Sequence, residues 1–142
     1  MWPRTSVLLL LSLLLAPGIA AQQTLVLSQN KCAPDKQGQI RQMTDSLWIP
    51  VAQELVNEGK LTAAGSAYHS WGDEWNVVVW YIATNIPTFL SAYDELFGRV
   101  NKRHPTMIQQ FFSWCSDHKD SFYSMGKGTT RRAPAPAAPR RN

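Results

Sequence analysis

Residues 61–84 read LTAAGSAYHSWGDEWNVVVWYIAT, two β-prone runs around one turn signal. Leu61–Ser70 is small and apolar, Glu74–Thr84 is β-branched and aromatic, and Trp71-Gly72-Asp73 between them offers the Gly-Asp pair of a tight hairpin. With Gly72 and Asp73 as the turn residues, Trp71 opposes Glu74, Ser70 opposes Trp75, His69 opposes Asn76 and Gly65 opposes Trp80. A slip of one residue would exchange the two faces. Along the second strand Trp75, Val77, Val79 and Tyr81 share one side, and Asn76, Val78, Trp80 and Ile82 the other. Both sides are largely apolar, so both need cover.

Upstream, Thr24–Ser28 (TLVLS) suits a strand, with Cys32 at its exit. Pro34-Asp35 then signals a helix start, and Ile40, Met43, Leu47, Val51 and Leu55 recur at the spacing of one helical face until Gly59 stops it. Pro50 lies inside that pattern and is expected to kink or break the helix, because it lacks a backbone donor. Downstream, Asn85 caps a helix with Pro87 in its first turn and a stripe of Ile86, Phe89, Leu90, Tyr93, Leu96, Phe97 and Val100. A shorter helix from Pro105 to about Cys115 carries Met107, Ile108, Phe111 and Phe112, and Ser121–Met125 reads as a last strand. This order predicts an α+β, ferredoxin-like βαββαβ fold, an antiparallel sheet with its helices on one face. The uncovered face is then expected to meet a second copy of the chain as a homodimer.

The ends read differently from the middle. In residues 1–21, Arg4 precedes the apolar run Val7–Leu15, interrupted only by Ser12, and Pro17-Gly18 and the small Ala20 and Ala21 follow. This is the pattern of a secretory signal, too short for a permanent membrane helix. No cysteine stands at the junction to carry a lipid. The mature chain is therefore expected to be periplasmic or extracellular, with no stable membrane insertion after cleavage. Residues 126–142, GKGTTRRAPAPAAPRRN, resist helix and sheet and read as a disordered basic tail. It is read as a solvated end, with adhesion to an anionic envelope surface as the specific alternative.

Of the 142 residues, 22–125 remain as a single α+β domain. That domain has eight Lys and Arg against ten Asp and Glu, whereas the tail carries five arginines and lysines and no acid. The pI of 9.3 thus belongs to the tail, which has no aromatics to stack bases, and nucleic acid is excluded as a partner.

His69-Ser70-Trp71-Gly72-Asp73-Glu74-Trp75-Asn76 and Trp114-Cys115-Ser116-Asp117-His118-Lys119-Asp120 resemble stretches of small exported bacterial proteins of the dimeric α/β-barrel superfamily that have no assigned activity. The resemblance covers roughly residues 25–126. It implies a ferredoxin-like fold in which two sheets face one another in a dimer. The superfamily includes cofactor-independent monooxygenases, haem-binding enzymes and stress-response proteins, so the resemblance implies a fold and not a reaction.

His69 and His118 are the candidates for chemistry. A histidine beside a carboxylate can shuttle protons or ligate a metal or haem, and Asp73 and Glu74 lie near His69 while Asp117 and Asp120 flank His118. The plain alternative is that these are ordinary turn residues and backbone-satisfying histidines. Trp71, Trp75 and Trp80 suit either an aromatic pocket or a core. The site expected is a small-ligand cavity between sheet and helices, with Trp71, Glu74, Asn76, Trp80 and His118 as ligand-binding residues. The enzyme alternative, monooxygenase-like or haem-handling, uses His69 as base or ligand; a structural or interaction module is the third reading. No metal is expected, since there is no HExxH or CxxC and His104 precedes a proline. No cofactor is expected, with haem as the alternative. GxGxxG and Walker patterns are absent, and Ser66, Ser70 and Ser113 lack a nucleophile-elbow context.

Cys32 and Cys115 are the only cysteines. In a ferredoxin-like sheet the first and last strands are adjacent and antiparallel; Cys32 follows the first and Cys115 precedes the last. An exported chain permits oxidation, so a Cys32–Cys115 disulfide is expected.

Overall fold

The computed structural model describes residues 22–69 and 74–126. Residues 1–21, expected as a targeting segment, residues 70–73 with Trp71, expected as the hairpin turn, and the residues beyond Gly126, expected as a tail, lie outside the described residues. The elements are β1 (Thr24–Cys32), α1 (Gln37–Met43), α2 (Ile49–Asn57), β2 (Ala63–Tyr68), β3 (Val77–Ala83), α3 (Ile86–Arg103), α4 (Met107–Trp114) and β4 (Cys115–Ser124). The strands form one antiparallel sheet in the order β2-β3-β1-β4. The hairpin register is the expected one, with Gly65 opposite Trp80 and the His69 N–H donating to the Asn76 carbonyl.

Alternation divides the sheet. Thr24, Val26, Ser28, Asn30 and Cys32 of β1, with Val77, Val79, Tyr81 and Ala83 of β3, are buried under the helices. Their neighbours Leu25, Leu27, Val78, Trp80 and Ile82 are half-buried on the opposite, open face. Trp80 lies across β2 there, and a Cβ at Gly65 would collide with its indole ring. Glycine at that position is what lets the ring lie flat.

Pro50 does not break its helix. A π turn over Thr44–Trp48 joins α1 to α2, closed by the Ile49 N–H donating to the Thr44 carbonyl. Placing the wide turn immediately before Pro50 accommodates the missing donor. Asp45, in that turn, accepts from the Ser66 and Tyr68 hydroxyls at 2.8 Å each, which pins the turn to β2. The turn also widens the buried face. Thr44 and Trp48 are buried, and Met43 and Leu47, which the sequence pattern placed inward, pack partly buried against the core. Gly59, with φ +74°, ends α2 in the left-handed conformation.

Asn85 caps α3 by accepting the Thr88 N–H at 2.8 Å, and Phe89, Ala92, Leu96 and Val100 pack into the core. Ile86 and Leu90, counted in the same stripe, are exposed. Between α2 and α3, Arg99 bonds Glu54, Glu58 and Glu95. Hydrogen bonds from Arg99, then Lys60, hold the Glu58 carboxyl down at about 2. β4 begins six residues before the expected start at Ser121: pairing with β1 recruits the polar run SDHKDS as an edge strand, where charged side chains are tolerated.

The expected bridge is present, Cys32 to Cys115, closing a sequence separation of 83 residues at the β1–β4 register partners. It fastens the end of α4 to the sheet, and by chain entropy a loop of that size gains at most about 4–5 kcal/mol. Intact mass should rise by about 2 Da on reduction under denaturing conditions. A protein whose thiols are both alkylated without reductant would contradict this bridge.

Candidate functional site

Between the helix-side face of the sheet and the helices lies a cavity of about 160 Å³. β1 contributes Ser28 and Asn30, β3 contributes Val79 and Tyr81, and the π turn contributes Thr44 and Trp48. Tyr93 and Phe97 come from α3, Met107, Ile108, Phe111 and Phe112 from α4, and His118 and Asp120 from β4. An apolar cavity of about 150 Å³ takes a benzene-sized guest, so this volume matches one ring.

The walls are an interlocked aromatic set. Trp48 meets Phe97 edge-on with centroids 4.9 Å apart, and Phe97 meets Tyr93 likewise at 4.9 Å. Tyr81 packs on both Tyr93 and Phe89 at 5.5 Å. The Trp48 indole N–H donates to the Tyr81 hydroxyl at 2.8 Å, which fixes both rings. Burial raises the Tyr81 phenol well above its usual range. Burial, with the Asp120 carboxylate adding to it, pushes Tyr93 up to about 12. Both therefore stay protonated at neutral pH.

Polar groups in the cavity are few. Asn30 is occupied, donating to the Ser28 and Val77 carbonyls. Thr44 is 1% exposed; its Oγ1 lies near the Tyr68 hydroxyl but has no partner within hydrogen-bond distance among the described residues. An unpartnered buried hydroxyl costs about 1–3 kcal/mol, which a polar group in the cavity would return. His118, at the mouth, lies edge-on to Phe112 with centroids 6.1 Å apart.

Of the described residues expected at this site, His118 alone lines the cavity. His69, expected as the base, is exposed at the end of β2. Its backbone carbonyl accepts from Gln37 Nε2, and parity places it with Gly65 on the open side. Trp80 is on the open face because it alternates with Val79 and Tyr81. Glu74 pairs with Lys31, and Lys119 Nζ sits 4.3 Å over the Trp75 ring. Asn76 is a clamp: its Oδ1 accepts the Cys32 N–H at 2.9 Å and its Nδ2 donates to the Cys32 carbonyl at 2.8 Å. His104 ends α3, its N–H donating to the Val100 carbonyl. No sequence motif marks Thr44, Trp48, Tyr81 and Tyr93 as site residues; the four-residue spacing of Ile40, Thr44 and Trp48 ahead of Pro50 is the signal the sequence carries.

A haem macrocycle does not fit this volume, since cofactor pockets run about 300–1,000 Å³. Among the described residues no group of three or more His, Cys, Asp or Glu is placed to hold a metal ion. Nor, among them, is any helix long and apolar enough to cross a membrane.

No family model matches the sequence, and no curated protein matches it. Solved structures do match. A dimeric ferredoxin-like protein from an uncultured marine organism superposes with a TM-score of 0.60 at 8% identity, over 79% of this chain and 94% of that one. The fold is ferredoxin-like. A NIPSNAP family protein from Agrobacterium tumefaciens matches this ferredoxin-like chain with a TM-score of 0.57 at 12% identity, over 78% of it and 99% of the relative. A protein described as a candidate antibiotic biosynthesis monooxygenase from Nitrosomonas europaea matches with a TM-score of 0.50 at 11% identity, over 74% and 91% of the two chains. At these identities the likeness concerns the ferredoxin-like backbone alone.

Thr44→Val removes the orphaned hydroxyl and keeps the shape. In the ligand-free protein it should raise stability by about 1–2 kcal/mol in chemical denaturation. A loss of stability instead would mean that Thr44 already has a partner in solution.

Proposed function

We propose that this ferredoxin-like protein binds a small, flat, mostly apolar ligand of single-ring size in the cavity between sheet and helices. The observation that carries the reading is an aromatic-walled space of about 160 Å³ lined by Thr44, whose buried hydroxyl has no partner within hydrogen-bond distance among the described residues. A preformed apolar pocket with few polar groups is the ordinary form of a small-molecule site. The oxidative reading with His69 as base has no support in this geometry, because His69 stands away from the cavity.

The probe is benzyl alcohol, one ring with one hydroxyl. Titrated into ¹⁵N-labelled protein, it should give saturable shifts at Thr44, the Trp48 indole, Tyr93 and His118. Ile108→Trp, which fills the cavity, should abolish them. Shifts confined to Val78, Trp80 and Ile82, or none at all, would overturn the reading.

We infer further that the open sheet face joins two copies. Leu25, Leu27, Val78, Trp80 and Ile82 form an apolar surface with no helix on it, and two of the similar solved structures are described as dimeric ferredoxin-like proteins. Export is part of the same reading, supported by the targeting pattern of residues 1–21 and by a disulfide, which forms in oxidising compartments. Light scattering should give a dimer at micromolar concentration, and Leu27→Glu should give a monomer with unchanged helix content. A wild-type monomer would contradict the interface.

A further inference from the structure

We propose that the ligand is a small organic cation, an ammonium group on an apolar or aromatic body, held by the Asp120 carboxylate at the cavity mouth. This rests on the reading that the cavity takes a ligand at all, and it names that ligand's charge.

Among the described residues, the only charged or titratable side chains on the cavity, apart from the two tyrosines, are His118 and Asp120. Asp120 makes no hydrogen bond or ion pair among the described residues. The basic side chains that could have neutralised it are engaged elsewhere. Lys31 pairs with Glu74. Lys119, its chain neighbour, points to the opposite face and lies over Trp75. Lys60, Arg99 and Arg103 belong to the carboxylate network between α2 and α3. Arg41 sits 4.9 Å over the Tyr68 ring and pairs with Asp45.

Asp120 is placed where its field reaches the cavity. It is the register partner of Ser28 and alternates on β4 with His118 and Phe122 on the helix side. The raised Tyr93 phenol, in which Asp120 has a share, is consistent with that field. Around it, Tyr93, Phe97, Trp48 and Phe112 line the space, and an aromatic lining offers a cation ring faces to approach. An anion would meet an uncompensated carboxylate and the negative ring faces. A neutral ligand would offer Asp120 at most a hydrogen bond and no opposite charge. The ammonium is the charge state that Asp120 and the aromatic lining both favour, with His118 the one titratable lining group that offers it no attraction.

The test uses three probes of one ring and one reach, benzylamine, benzyl alcohol and benzoate, in calorimetric titrations of the full chain and its Asp120→Asn variant. At about pH 7.5 the amine carries its proton. Benzylamine should bind about tenfold more tightly than benzyl alcohol, given a partly exposed ion pair plus cation–π contact, and benzoate should bind least. In Asp120→Asn the amine should fall to the level of the alcohol, whose own affinity should stay within about twofold and so reports an intact cavity. An alcohol bound as tightly as the amine by the wild type, or an amine preference that survives Asp120→Asn, would overturn the proposal while leaving the cavity reading in place. Failure of all three probes to bind would overturn both.

Discussion

β1 and β3 carry large apolar side chains on both sides of the sheet, and the helices of this chain cover one side only. The rest of the molecule follows from that constraint. On the covered side, Val26, Val79, Tyr81 and Ala83 pack under α2 and α3 as the core. On the open side, Leu27, Val78, Trp80 and Ile82 form an apolar surface supported by the close approach of Trp80 to Gly65. Strand parity assigns each side chain to one of these two roles, and it separates the cavity from the interface that we propose. The disulfide acts on the first role, since it ties the end of α4, which supplies one cavity wall, to the exit of β1.

The cavity exists because packing on the covered side is interrupted. Thr44 follows buried Ile40 by one regular turn, and the π turn that begins there brings Trp48 onto the same buried face, with Met43 and Leu47 partly buried beside it. Trp48 fills part of the space and locks Tyr81 through its indole N–H. Thr44, which is shorter, leaves room beside an unpartnered hydroxyl. The π turn ahead of Pro50 thus supplies two of the residues that line the pocket.

The fold was legible because its signals were local and periodic: the Gly72-Asp73 turn with its register, the Asn85 cap and the Gly59 stop. Topology then placed Cys32 beside Cys115. The site was much less legible, for two physical reasons. A π turn widens the inward-facing arc, so the apolar stripe found Ile40, Val51 and Leu55 in the core and Met43 and Leu47 beside it but gave no sign of Thr44 and Trp48. The run SDHKDS has the composition of a loop, and only pairing with β1 makes it a strand; without that pairing its alternation, which sends His118 and Asp120 to the cavity and Lys119 away, cannot be read. His69 and Trp80 drew attention by residue type. The hairpin register already implied that the two share a face, but not which face the helices cover.

Trp48 and Trp80 report the two sides of the sheet separately, and their indole N–H resonances in one diluted sample test the account most directly. With a soluble paramagnetic relaxation agent and stepwise dilution, the Trp48 signal should stay protected at every concentration and shift only when a single-ring ligand is added. The Trp80 signal should become exposed as the dimer dissociates and ignore the ligand. Trp48 exposed alongside Trp80 on dilution, or Trp80 shifting with the ligand while Trp48 does not, would contradict the division of the sheet into a binding face and an association face.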